Sequence, residues 1–320
     1  RDPTYPKIKV YEFGACGLPV SGWRDRVDEL QAALNVTVLD VQYGQDNQHI
    51  KLTVAPPVST LPSKILWSPT RQPLEPFVVA LGEDCAGRQV TWDLRQGHGI
   101  LAGMTGSGKS NLLRCVLAQC LGWGCRVEIA DFKGMVGFSK WQERCRIYTT
   151  APELLALLEE LVAEMEYREK RLSEEKCEDA DEYNHKRRWA HPFQHIVLAV
   201  DEASLVFNRT GATKEQKAMI DQIERHMVTI ACKGRALSVH TLLSMQRPDS
   251  LVLAPQIKAN ASMLCCGVAN KVLSEIVLDS TAAADMIPRN ARGMFVVNQG
   301  ADNYLAFQAY YFDERRLNYG

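Results

Sequence analysis

Residues 98–118 read His-Gly-Ile-Leu-Ala-Gly-Met-Thr-Gly-Ser-Gly-Lys-Ser-Asn-Leu-Leu-Arg-Cys-Val-Leu-Ala. Within them Gly103, Gly108, Lys109 and Ser110 satisfy the pattern G-x-x-x-x-G-K-[ST] of a phosphate-binding loop. The glycines allow a tight turn in which successive backbone N–H groups point inward at a phosphate. Lys109 adds a cation for the β- and γ-phosphates, and the Ser110 hydroxyl can ligate Mg²⁺. The flanks agree. His98–Ala102 is a short apolar run suited to a buried strand, and Asn111–Ala118 has helical spacing, which places a helix N-terminus under the phosphates. A bland glycine turn before a helix is the competing reading, and this context disfavours it. The loop residues Gly103, Thr105, Gly106, Ser107, Gly108, Lys109, Ser110 and Asn111 are therefore expected to hold a nucleoside triphosphate, ATP, with Mg²⁺.

Ninety residues on, His195-Ile-Val-Leu-Ala-Val-Asp201-Glu202 is an apolar strand delivering two acids at its carboxyl end. Beside a phosphate loop, Asp201 is placed for Mg²⁺ and Glu202 for deprotonating a water. Alone, such a strand often just meets a turn; in this company the hydrolytic reading is preferred. Strand and helix alternate around the two motifs. Strands are expected at 125–131, 145–149, 237–245, 263–268 and, last, 292–297. Helices are expected at 153–172, with Leu154, Leu158, Leu161, Met165 and Leu172 on one stripe, and near 214–232. Ser173–Arg188 is heavily charged and reads as solvated. The class is α/β, with a mainly parallel sheet covered on both faces.

The first 55 residues differ. Ile8–Phe13 and His49–Val54 alternate apolar and polar, with a helix-spaced segment at 23–34, as in a small α/β domain. Pro56, Pro57, Pro62, Pro69, Pro73 and Pro76 then exclude helix and central strand, so 56–76 reads as a linker and 77–320 as the nucleotide-hydrolysing domain. A net charge of −1 over 320 residues gives no global basic footprint, so any nucleic-acid contact must be local. No run of 18 apolar residues suggests a membrane span. The ten cysteines form no C-x-x-C pair and read as free thiols of a reducing compartment rather than a metal site.

At this point the residues resemble the FtsK/SpoIIIE-type DNA-pumping ATPases of the HerA–FtsK branch, over about Val79–Val297. The similarity rests on Ala80-Leu-Gly-Glu-Asp84 with Gly87 and Asp93-Leu94, on Glu164-Met-Glu-Tyr-Arg168, and on Lys233-Gly-Arg-Ala-Leu-Ser-Val-His240. Gln246-Arg-Pro248 and Ile257-Lys-Ala-Asn260 complete the set. The resemblance implies a RecA-like P-loop ATPase domain working as a homo-oligomeric, hexameric ring on DNA, single- or double-stranded undecided. It implies that Gln246 senses the γ-phosphate and that Arg235 is a finger donated to a neighbour's ATP. Arg247, Lys258 and Lys271 fall where pore loops contact the DNA backbone. A plain strand-end amide, a helix-terminal charge, and salt-bridged or solvated surface cations are the respective alternatives. Two arginine positions of the family are lost, at Ala261–Leu264 and Leu273–Glu275. With no winged-helix module after Gly320, the expectation is a conjugative-transfer member: a bacterial cytoplasmic domain attached through an upstream region to membrane-bound transfer machinery. An EccC-like ATPase of type VII protein secretion is the alternative.

Overall fold

The structure, a computed structural model, describes residues 4–134, 137–187, 192–246, 254–300 and 303–315. The alternating N-terminal segments form β1 (Lys9–Gly14), β2 (Thr37–Tyr43) and β3 (His49–Ala55), an antiparallel sheet of order β1-β3-β2. Helices α1 (Val20–Arg24) and α2 (Val27–Leu34) cover one face. The alternation puts Ile50, Leu52 and Val54 of the central strand into a small core with Val20 and Val41, closed by Trp23 against Phe13 at 5.8 Å. Ile8 and Ala55 pack on Cys85 and Ala86, and so join this module to the larger one. The proline-rich stretch makes two 3-10 turns and the two-residue strand β4 (Ile65–Leu66), with Ile65 and Trp67 in the large core.

The antiparallel pair β5 (Val78–Asp84) and β6 (Gln89–Asp93) leads to β7 (His98–Ala102), the phosphate loop and α3 (Lys109–Gly122). Then follow β8 (Arg126–Asp131), β9 (Arg146–Tyr148), α4 (Ala151–Glu175), α5 (Ala180–Lys186), β10 (Ile196–Asp201), α6 (Ala203–Val206) and α7 (Lys214–Lys233). The chain continues through β11 (Val239–Met245), α8 (Pro255–Ala259), β12 (Ala261–Cys266), α9 (Lys271–Leu278), α10 (Ala282–Met286), β13 (Met294–Asn298) and β14 (Tyr304–Tyr311). The sheet order is β6-β5-β14-β13-β12-β7-β11-β10-β8-β9, with β4 beside β14. From β12 to β9 all neighbours are parallel; from β13 to β6 all are antiparallel. The fold is thus the P-loop ATPase α/β architecture with a parallel half and an antiparallel extension.

Continuous apolar runs are what a strand buried on both faces requires. In β10, Ile196, Leu198 and Val200 enter the core beneath α4 and α7, while Val197 and Ala199 enter the core beneath α3. Helix α4 carries the expected stripe, and its start is fixed by a Thr150–Glu153 capping box. The charged segment after it is not simply solvated. Its α5 buries Tyr183, stacked on Phe193 at 4.2 Å. Nor is β13 the last strand: β14 follows and inserts between β13 and β5.

Candidate functional site

Strands β7, β10, β11 and β8 end at one edge of the sheet, and the candidate site lies on that edge. The phosphate loop needs its glycines for conformation and for room. Gly108 caps α3 with φ +104, and a Cβ there would stand 3.2 Å from the Gly293 Cα. Gly103 has φ +146, and its Cβ would meet Ser107 Oγ at 2.8 Å and the Gly267 Cα at 3.2 Å. The loop is therefore wedged between the ends of β12 and β13. Three backbone bonds fix it there: Gly267 N–H to the Ala102 carbonyl, Met104 N–H to that of Val268, and Gly293 N–H to that of Ser107, each 2.8 Å.

Lys109 opens α3 and is 5% exposed. Burial pulls its ammonium down to about 8, against the opposing pull of Glu202 and Asp201. Ser110 lies in the same first turn. Asn111 is differently engaged: its amide clasps the Phe312 backbone, donating to the carbonyl at 2.9 Å and accepting from the N–H at 3.0 Å. Its side chain thus ties the segment after β14 to the loop helix, and its backbone N–H donates to the Gly108 carbonyl at 3.1 Å.

Asp201 ends β10 directly beside Asp131 on β8 and Ser244 on β11. Burial raises the Asp201 carboxyl above its ordinary range, and Lys133 partly offsets this. Glu202 occupies the left-handed region with φ +67, a conformation disfavoured for a non-glycine residue and typical of functional positions. Burial works to raise its carboxyl, but the Ser204 hydroxyl, the Gln246 backbone N–H and Lys133 outweigh it and hold Glu202 below the usual carboxylate range. The Gln246 N–H donates to Glu202 Oε1 at 3.0 Å, while its side-chain oxygen accepts from Thr105 Oγ1 at 2.7 Å. Gln246 thus bridges the phosphate loop and the acid.

Ser107 Oγ, Asp131 Oδ2, Asp201 Oδ1, Glu202 Oε2 and Ser244 Oγ are buried without a hydrogen-bond partner. Such atoms normally find one, and their concentration around the loop fits a bound triphosphate and divalent cation. Ser110, in the first turn of α3, and Asp201, whose Oδ1 is unpartnered, are the side chains that could hold Mg²⁺ there. Among the described residues no three His, Cys, Asp or Glu groups gather to hold a metal alone, which suits an ion completed by phosphate oxygens.

Arg235 sits elsewhere. It is exposed on the 3-10 turn Gly234–Leu237 before β11, and β11 separates that turn from the loop by roughly 20 Å at about 3.3 Å per residue. At that distance it does not reach the phosphate loop of its own chain. Its turn is held by buried Arg168, which donates to the Leu237 carbonyl at 2.7 Å and the Gln194 carbonyl at 2.9 Å and pairs with Glu164 at 2.8 Å. The DNA candidates are not brought together. Lys258 bonds the Ile276 carbonyl and Asp279, both at 2.7 Å, at the C-terminal end of α9. Exposed Lys271 begins that helix, about 12 Å away at 1.5 Å per residue. Arg247 lies outside the described residues.

Lys133, Asp131 and Arg168 are site or support residues that motif reading did not assign. An acid ending a strand next to the Asp-Glu strand was the available signal for Asp131; Lys133 follows it in a turn closed by its own N–H on Asp131 Oδ1 at 2.9 Å.

The model of the FtsK/SpoIIIE family matches residues 63–224. A DNA translocase FtsK from Treponema pallidum (strain Nichols) is 29% identical over 253 residues, covering 75% of this chain and 30% of its own length. The chain thus spans about a third of that relative or less. The solved pCW3 conjugation coupling protein TcpA, in monomer form with ATPγS, is 30% identical with a TM-score of 0.77, over 97% of this chain and 87% of its own. The cytoplasmic domain of the Thermomonospora curvata type VII secretion ATPase EccC shares the fold, with a TM-score of 0.60 at 24% identity over 79% of this chain and 30% of its own.

Proposed function

This chain belongs to the FtsK/SpoIIIE family, and on that premise we propose that it is an ATP-hydrolysing DNA translocase motor. It works as a homo-oligomeric ring, a hexamer, moving plasmid or integrative-element DNA in conjugative transfer. The likeness to a conjugation coupling protein supports that role, and the DNA translocases among its relatives support DNA as the substrate. A bacterial cytoplasmic setting beside membrane-bound transfer machinery belongs to the same proposal. Among the described residues, no helix is long and apolar enough to cross a membrane.

The observation that carries the reading is Gln246, bonded at once to Thr105 of the phosphate loop and to Glu202. The loop N–H groups and the Lys109 ammonium bind and orient the phosphates. Mg²⁺, when bound through Ser110 and Asp201, supplies charge neutralisation on the phosphate oxygens. Glu202, kept ionised by Ser204, Gln246 and Lys133, takes the proton of the attacking water. Gln246, joined to Thr105 of the loop and to Glu202, would register whether the γ-phosphate is present and pass that state to β11. At the far end of β11, Arg235 stabilises the charge developing on a neighbour's phosphoryl group.

The test is the hydrolysis rate with single-stranded DNA, duplex DNA and unfolded polypeptide, using Glu202→Gln as control. DNA should stimulate turnover, and the control should bind ATP without turning over. Stimulation by polypeptide alone refutes the DNA reading in favour of a protein-secretion ATPase. Turnover by the control refutes the base assignment.

A further inference from the structure

Lys133 has no place in the mechanism above beyond its charge, yet it is paired with both acids of the site. Its ammonium lies 3.5 Å from Asp201 Oδ2 and 3.2 Å from Glu202 Oε2. The second oxygen accepts no aligned hydrogen bond, so the contact is a bare ion pair. Asp131 adjoins Asp201 in register, and Asp131, Asp201 and Glu202 are 1%, 4% and 5% exposed. Against these three carboxylates stand two cations, Lys109 and Lys133. With both lysines charged the cluster is close to balanced; without Lys133 it carries two uncompensated negative charges beside an anion-binding loop.

We propose that Lys133 is a resident counter-ion of the Asp201–Glu202 pair that a divalent cation must displace from Asp201, making it a positioning residue that sets the threshold for metal entry. The inference rests on the nucleotide-and-metal reading of the site. Only the carboxylates of this pair are buried, Lys133 keeping a third of its side chain in solvent; its ammonium still opposes a second cation at Asp201 because like charges a few ångströms apart repel, less steeply than in a dry interior. Metal therefore enters only with the phosphate oxygens that complete its shell. Once Asp201 is taken, Lys133 keeps Glu202 as its remaining partner and holds that acid in place. The turn carrying Lys133 is itself fixed by Asp131, so occupancy of the metal position is transmitted to the loop after β8.

The experiment titrates Mn²⁺ into the full chain by electron paramagnetic resonance, with and without ADP, which lacks the γ-phosphate that Lys133 could otherwise contact. The parent should bind Mn²⁺ only with ADP. Lys133→Met should bind it on the order of tenfold tighter in the ADP complex, the size expected for removing one positive charge a few ångströms away that solvent partly screens. Lys133→Arg, which keeps the charge, should behave as the parent and guards against a folding artefact in the methionine variant. Unchanged or weaker Mn²⁺ binding by a folded Lys133→Met chain overturns the counter-ion role while leaving the site reading intact. A parent that shows no ADP-dependent Mn²⁺ site refutes the site reading, and the proposal with it.

Discussion

Replacing Arg168 with methionine isolates the anchor of the Arg235 turn. Methionine keeps the aliphatic stem and deletes a guanidinium whose side chain is only 3% exposed. The carbonyls of Leu237 and Gln194 then lose donors at 2.7 and 2.9 Å. The buried Leu237 carbonyl, left unsatisfied, costs about 1–3 kcal/mol, and the Gln194 carbonyl, on an exposed residue that water can reach, costs less. Part is returned because a buried charge is no longer desolvated, a strain visible in the way burial pulls the Arg168 pKa below the ordinary arginine range. The net loss is about 1–3 kcal/mol, which at about 2–4 °C per kcal/mol for a domain of this size lowers the melting temperature by roughly 2–12 °C. The damage should also be local. Amide exchange should accelerate across 234–240, where the turn loses its clamp, and much less across the phosphate loop on the opposite edge. Thermal melts paired with hydrogen exchange measure both. A parent-like melt with unchanged exchange at 234–240 refutes the anchoring argument.

Acid should loosen the sheet through its buried histidines. His98 Nδ1 accepts from the Thr241 N–H at 3.0 Å, so its Nε2 carries the proton toward the Ala231 carbonyl at 3.1 Å, and burial pulls its pKa down to about 4. The unfolded chain binds that proton first, so this stability is present above about pH 6.5 and is lost as pH falls toward 4: about 2 kcal/mol between pH 7 and 5. A flat melting temperature over that range contradicts it. Arg235→Ala should keep ATP affinity and lose hydrolysis by a factor on the order of 10³. Mixing it with Lys109→Ala chains should restore part of the activity, and no recovery in proven mixed rings rules out action in trans. Lys271→Ala should lower the magnitude of the log K against log[salt] slope for DNA by about 0.7–0.9. Lys258→Ala should leave that slope unmoved and instead cost about 0.5–1 kcal/mol of stability; the reverse pattern would show that Lys258 leaves its helix end to grip DNA. Gly293→Ala, at φ +75 with a Cβ 2.5 Å from Gln308 Nε2, should displace the wedge behind the phosphate loop. ATP binding should then weaken by roughly tenfold, for about 1.4 kcal/mol of strain, and parent-like affinity would show the wedge to be dispensable.

The parts of the site that were legible in the sequence are those whose chemistry is contiguous. The loop 103–110 and the strand ending Asp201-Glu202 each carry their whole pattern within eight residues, where local geometry decides. What escaped notice depends on distant pairing. Lys133 gains meaning only when β8 lies beside β10, and Gly293 only when the end of β13 meets Ser107. Charge misled in both directions. The run after Ser173 looked solvated although Tyr183 finds Phe193, and Lys258 looked available although the end of α9 engages it. The strand β14 is not legible in the sequence because nothing local in its apolar run shows that it belongs between β13 and β5.

That late insertion has a consequence during synthesis. The helix bearing Lys109 is clasped through Asn111 to Phe312, a partner 201 residues later, and the wedge at Gly293 is held by the Ala309 N–H, which bonds its carbonyl at 2.7 Å. At translation speeds of about 5–20 residues per second, the phosphate loop is made at least ten seconds before the strand that backs it. Until then the nascent chain has its nucleotide motif without the support that shapes it, and β13 and β5 present open hydrogen-bonding edges. The loop thus lacks its backing until β14 has been made, so an arrested product lacking that strand should bind ATP poorly and be delivered to chaperones and proteases.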